Sequence, residues 1–151
     1  MPPTIILLLY IIISTAANAT TTPGRVQFDR KSYSIDEDTE GIVTVTLRRV
    51  NGTDGAISAY VWTRDLSDSA IESIDYIPIV NQSVSWADSD SSDKHVLVKI
   101  VDDSLYEATD ESFVVEIRTV SGDATIYEDY NTTTITINAN SDRKSNRNII
   151  L

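Results

Sequence analysis

From residue 25 onward, apolar and polar residues alternate with a period of two in one run after another. Residues 42–47 put Val43, Val45 and Leu47 on one side, and residues 96–100 put Val96, Val98 and Ile100 opposite Leu97 and Lys99. Phe113, Val115 and Ile117 alternate with Val114, Glu116 and Arg118, and Thr133, Ile135 and Ile137 alternate with Thr134 and Thr136. Residues 56–63 read as a further strand, with Tyr60 and Trp62 on one side and Ala59 and Val61 on the other; both tryptophans are expected in the core. Shorter candidates cover 25–29, 33–36 and 83–86. Successive strand side chains point to opposite faces, so each run has one face to bury and one to wet. Asn51-Gly52-Thr53-Asp54-Gly55, residues 87–93 and Ser121-Gly122-Asp123 supply turns between them. No apolar stripe of helical period occurs beyond the N-terminus. The pattern predicts an all-β sandwich of about seven strands, present in one copy.

The N-terminus is different. Residues 5–13 are an unbroken apolar run, followed by the small-x-small sequence Ala17-Asn18-Ala19. That combination reads as a secretory signal peptide over 1–19, although the only positive charge ahead of the run is the amino terminus. The run is about half the ~20 residues a spanning helix needs. The expected organisation is a signal peptide at 1–19, a linker at 20–24, one domain at 25–140 and a basic disordered tail at 141–151. The mature chain is expected to be secreted, with no membrane span. The chain has no cysteine, so a secreted domain of this kind must be held by its core, a metal or partners. Three glycan acceptor sequons, Asn51-Gly52-Thr53, Asn81-Gln82-Ser83 and Asn131-Thr132-Thr133, are consistent with export.

Charge narrows the function. With 12 Lys and Arg against 23 Asp and Glu, the net charge is −11, which repels nucleic acid and anionic membrane. All the acidic residues follow the apolar run, while Arg143, Lys144 and Arg147 cluster in the tail. Catalytic constellations are missing: there is no thiol, and the only histidine is His95, beside Lys94 at the start of a predicted strand. The glycines form neither a phosphate-cradling loop nor a nucleophile elbow. The chain is therefore expected not to be an enzyme.

Oxygen ligands remain. Between residues 102 and 111 lie Asp102, Asp103, Glu107, Asp110 and Glu111, in a segment that joins two predicted strands. Two unit charges 4 Å apart repel by about 4 kcal/mol at an effective dielectric near 20, so such a loop splays apart unless a cation neutralises it. Calcium accepts six to eight oxygens in loose geometry. A solvated acidic hairpin explains the same residues equally well. Residues 88–93 are acidic too, but Asp93 and Lys99 stand where an EF-hand needs Gly and a bidentate Glu, so they read as a polar turn.

The order of motifs resembles the Calx-beta family. Phe28, Tyr33-Ser34-Ile35-Asp36-Glu37 and residues 41–49 look like its opening, and Asp75-Tyr76 and Val84-Ser85-Trp86-Ala87-Asp88 like its middle. Residues 96–101 lead into Asp102-Asp103, then Glu107 and Glu111-Ser112-Phe113, and Thr134-Ile135-Thr136-Ile137 is similar to the closing strand. The resemblance implies an immunoglobulin-like antiparallel β-sandwich with Ca2+ held by loops at one end. It carries the ligand role to Glu37, Asp75, Asp102, Asp103, Glu107 and Glu111. Two departures accompany it. Residues 138–142 read Asn-Ala-Asn-Ser-Asp where the family is more acidic, which implies fewer or weaker ions. One extra residue between Glu107 and Phe113 leaves open whether Asp110 or Glu111 faces the metal.

These features together imply a secreted calcium-binding module acting in cell adhesion or matrix interaction, with other extracellular or matrix proteins as partners. The alternatives are a calcium-sensing regulatory domain of a transporter-like membrane protein, and a metal-free ligand-binding sandwich.

Overall fold

The structure is a computed structural model that describes residues 20–36, 41–67, 69–102 and 108–139. Among these residues there are nine strands: β1 Arg25–Phe28, β2 Ser32–Asp36, β3 Ile42–Val50, β4 Ile57–Asp65, β5 Gln82–Trp86, β6 Lys94–Lys99, β7 Glu111–Ser121, β8 Thr125–Ile126 and β9 Thr132–Asn138. A single 3₁₀ turn, Glu128–Tyr130, lies between β8 and β9. The strands form a four-stranded sheet in the order β6-β3-β1-β8 and a five-stranded sheet in the order β2-β9-β7-β4-β5. The all-β sandwich expected from the alternation is what forms. Nine strands form where about seven were expected: eight coincide with the runs read from the sequence, and the ninth, β8, is only two residues long, too short to show a period.

Among the described strands two pairings are parallel and the rest antiparallel: β1 pairs in parallel with β8, and β2 with β9. The cause is a division of the first stretch of chain. After Phe28 it leaves the four-stranded sheet, and from Ser32 it runs along β9 in the other, with Tyr33 opposite Ile135 and Ile35 opposite Ile137. The opening strands thereby lie beside the closing ones. At the crossing, the Tyr33 hydroxyl donates to Asp29 and accepts from the Thr46 backbone N–H, tying the two sheets together.

The core lies where the inner faces meet. Val26, Phe28, Val45, Leu47, Val96 and Val98 are fully buried from one sheet, and Ala59, Val61, Phe113, Val115 and Ile135 from the other. Trp86 is buried as expected, and its indole N–H donates to the Ser92 carbonyl. Trp62 is a correction: it is half-buried on the outer face of β4, under the Arg118 guanidinium 5.2 Å from its ring centre. The parity of β4 decides this, since Ala59 and Val61 point inward and leave Tyr60 and Trp62 outside.

Arg118 also marks a bulge. Tyr60 faces Thr119 while Val61 faces Ile117, so β7 carries one extra residue there. The bulge resets the alternation.

Candidate metal centre

Three of the family-derived ligand positions fall among the described residues, and the backbone brings them to one end of the sandwich. Asp75 closes the excursion between β4 and β5, and its carbonyl accepts the Val101 N–H at 2.9 Å, immediately before Asp102. Tyr76 bridges to Ile100. Glu111 opens β7 opposite Ile137 of β9. Glu37, Asp103 and Glu107 lie outside the described residues. The described residues beside them share the same end: Asp36 pairs with Asn138, and the Ile100 N–H donates to the Gly41 carbonyl.

The Asp-Tyr and Glu-x-Phe elements have a physical reason to occur together. Tyr76 is fully buried and its ring stacks on Phe113, with centroids 3.7 Å apart and planes 4° from parallel. Its hydroxyl donates to Asp65 Oδ1 at 2.5 Å. Burial, followed by this bond to a carboxylate, raises the phenol's pKa well above the ordinary tyrosine value. Each aromatic is one or two residues from a proposed acidic ligand, so the Tyr76–Phe113 stack sets how the Asp75 and Glu111 backbones approach each other. Ser112 adds a further tie, its N–H donating to Ser69 Oγ at 2.5 Å.

Asp75 itself is 5% exposed, and its Oδ2 accepts the Ile71 N–H at 2.7 Å. The backbone donor fixes one oxygen of this buried carboxylate. Asp102 and Glu111 are half-buried and engaged with neighbours. Asp110 is exposed and its Oδ1 accepts the Ala139 N–H at 2.9 Å, which points it at the start of the closing segment. Among the described residues, no three of His, Cys, Asp and Glu form a group that could hold a metal by themselves. The donor chemistry nonetheless fits calcium: carboxylate and amide oxygens, without imidazole or thiolate.

Two acidic residues at this end were not singled out from the sequence. Asp65 ends β4 and accepts both the Tyr76 hydroxyl and the Glu72 N–H; Asp36 ends β2 and accepts from Asn138 Nδ2 at 2.6 Å. The signal that locates them is position, each being the last residue of a strand running toward the acidic loops.

The opposite end is organised by a cation. Arg49 is 4% exposed and donates to five backbone carbonyls, those of Pro23, Asp54, Gly55, Ala87 and Asp90, at 2.8–3.3 Å. The period that buries Val43, Val45 and Leu47 continues to Arg49, two residues past the run read from the sequence, and carries this arginine inward. Residues 88–93, expected as a polar turn, belong to this assembly. Asp88 Oδ1 accepts the Gly55 N–H at 2.6 Å, and Asp90 binds Lys94 and Ser92. His95 is exposed, with Nδ1 3.2 Å from Thr46 Oγ1.

The molecule is thus a two-sheet β-sandwich with an arginine-clasped end and an acidic end. The Calx-beta domain profile matches residues 20–141. The chain belongs to the Calx-beta family. Solved structures agree at the level of fold. The apo-form Calx CBD1 domain superposes with a TM-score of 0.66 at 19% identity, covering 75% of this chain and 94% of that one. The Calx CBD2 domain gives 0.66 at 20% identity, covering 84% and 93%. The calcium binding domain CBD12 of CALX1.1 gives 0.66 at 19% identity, covering 75% of this chain and 44% of that one. No curated protein matches this chain in sequence. Among the described residues no helix is long and apolar enough to cross a membrane.

Proposed function

We propose that this chain is an exported, non-catalytic Calx-beta module that binds calcium at its acidic end and acts in adhesion or matrix interaction. The observation that supports the reading is that the backbone carries Asp75, Asp102 and Glu111 to one end of the sandwich, through the Val101–Asp75 hydrogen bond and the Tyr76–Phe113 stack. Asp103 follows Asp102, Glu107 precedes Glu111 in the same segment, and Glu37 follows Asp36 at the end of β2; these three complete the proposed ligand set. The fold is shared with the calcium binding domain CBD12 of CALX1.1. An interaction role is supported by exposed aliphatics beside the acidic end: Ile71, Ile74 and Ile77 flank Asp75, and Ile42 and Leu97 lie on the outer face of β3 and β6. Ile77 donates its N–H to the Lys99 carbonyl, which places it next to that face.

Extracellular modules bind calcium with dissociation constants of about 10⁻⁴–10⁻³ M. A ligand at a hundredfold excess over its dissociation constant stabilises the fold by about 2.7 kcal/mol. The test is calorimetric titration of residues 20–151 with calcium, paired with thermal melts in calcium and in chelator. Calcium is expected to raise Tm by several degrees, and Asp103→Asn to shrink that rise. A melt that ignores calcium, with no heat of binding, refutes the metal function.

A further inference from the structure

We infer that Asn51 and Asn81 are N-glycan acceptors and that the Asn81 glycan shields the open edge of β5, an inference that rests on the export reading above. The three sequons are equivalent as sequence. The structure separates them. Asn51 directly follows β3 and Asn81 directly precedes β5; both are exposed, with φ of 59° and 56°. Asparagine is among the few residues that adopt this left-handed conformation readily. At such turn tips the side-chain amide leaves the sheet with solvent around it. Asn131 is half-buried, with φ of −80°. Its Nδ2, the atom a glycan would occupy, donates to Glu128 Oε2 at 3.0 Å.

The transfer needs a lipid-pyrophosphate-linked oligosaccharide as donor. The asparagine Nδ2 forms a bond to the sugar C1 and the C1–oxygen bond to the pyrophosphate breaks. The lipid pyrophosphate leaves with that electron pair, and Nδ2 gives up one of its two protons.

The reason for a glycan at Asn81 lies in the sheet. β5 is an outer strand of the five-stranded sheet, pairing with β4 on one side. Natural edge strands are usually guarded by charge, proline or a bulge. Gln82–Trp86 contains neither a charged residue nor proline, and its register with β4 is unbroken. A bulky hydrated group on the residue just before the strand blocks the approach of a second strand.

The experiment expresses the full chain in a secreting eukaryotic cell and follows intact mass before and after peptide N-glycosidase. Asn51→Asp and Asn81→Asp keep a residue tolerant of positive φ, and Thr53→Ala and Ser83→Ala remove each sequon without touching the asparagine. Two glycans are expected. One should be lost in each sequon variant, none in Asn131→Asp, and the Asn81 variants should self-associate more in sedimentation. An exported chain bare at Asn51 or Asn81, or glycosylated at Asn131 instead, overturns the assignment. Unchanged sedimentation of the Asn81 variants overturns the shielding role. A parallel arm replaces residues 1–19 with the leader of a known exported protein. If only that arm is exported and both sites are then occupied, the export reading fails while the acceptor assignment stands.

Discussion

Replacing Arg49 with methionine should unfold the arginine-clasped end and leave the calcium response intact. The side chain is 4% exposed and its guanidinium donates to five carbonyls. A hydrogen bond to a charged group contributes about 1.5–3 kcal/mol net, yet five such bonds cannot simply be summed, since the total would rival the ~5–15 kcal/mol stability of a whole domain. The acceptors divide by exposure. Asp54, Gly55 and Ala87 are exposed and their carbonyls regain water, whereas Pro23 and Asp90 are half-buried. Loss of the latter two bonds sets a cost of about 3–6 kcal/mol. At roughly 4 °C per kcal/mol for a domain of this size, Tm should fall by about 12 °C or more. Arg49→Lys should recover only part of this, because an ammonium offers three donors without the planar fork. Arg49 is seven residues along β3 from Ile42 at the acidic end, about 23 Å at strand rise. At that separation the effects should add, so calcium should raise the variant's Tm by as much as the wild type's. Thermal melts with and without calcium measure both quantities. A variant that melts within two or so degrees of wild type would show that the clasp contributes nothing beyond the core.

Other parts of the structure make further predictions. Tyr76→Phe keeps the stack on Phe113 but removes the donor to Asp65; a loss of about 1–2 kcal/mol is expected in urea unfolding. Gly122→Ala should cost more than Gly55→Ala: both have positive φ, but a Cβ at Gly122 would lie 2.2 Å from the Ala56 carbonyl oxygen, while nothing lies within 4 Å at Gly55. Melts should show about 1–3 kcal/mol of backbone strain at Gly55 and a larger loss at Gly122. The Lys94 ammonium, aided by the Ser92 hydroxyl and N–H, holds the Asp90 carboxyl well below the usual carboxylate range. A lowered pKa means the stabilisation is present above the unfolded carboxyl value and is lost as pH falls through the folded one. A carboxyl-detected NMR titration should find Asp90 still ionised where ordinary aspartates have protonated, and Lys94→Ala should bring it back among them.

The parts of the fold legible in the sequence were those with a strict period. β3, β6 and β9 alternate cleanly, and Val45, Val98 and Ile135 are fully buried; β7 buries Phe113, Val115 and Ile117 as the period requires but Val114 too, and its bulge interrupts the pattern. The same rule was strong enough to bury Arg49, a residue that composition alone would put in water. What escaped was non-local. The parallel pairing of β2 with β9 joins residues about a hundred positions apart, and its alternation carries no information about which sheet it enters. Trp62 was assigned to the core by residue type, although Ala59 and Val61 had already claimed the inward parity of β4. At the acidic end, the ligand candidates came from motif order; the Val101–Asp75 hydrogen bond brings Asp75 near Asp102, and the Tyr76–Phe113 stack brings Glu111 to the same end. Asp36 and Asp65 went unnoticed because a strand-terminal acid looks like any other in one dimension.

The two ends solve opposite electrostatic problems, and this explains how a domain without cysteine can place so many carboxylates on one side. At the Arg49 end the buried charge is positive and the surrounding loops supply its partners: five carbonyl dipoles converge on a guanidinium, and the nearby acids are occupied by backbone N–H groups and Lys94. Nothing further needs to bind there for the loops to be ordered. At the other end the buried charge is negative. Asp75 is almost fully enclosed, and among the described residues its carboxylate accepts the Ile71 N–H. Buried carboxylates are tolerated when paired or when they coordinate a metal. A cation from solution can do at this end what Arg49 does at the other, with the difference that its occupancy follows concentration. Fold stability should then depend on the ion only through the loops around Asp75, Asp102 and Glu111, while the core and the arginine clasp keep the sandwich assembled in its absence.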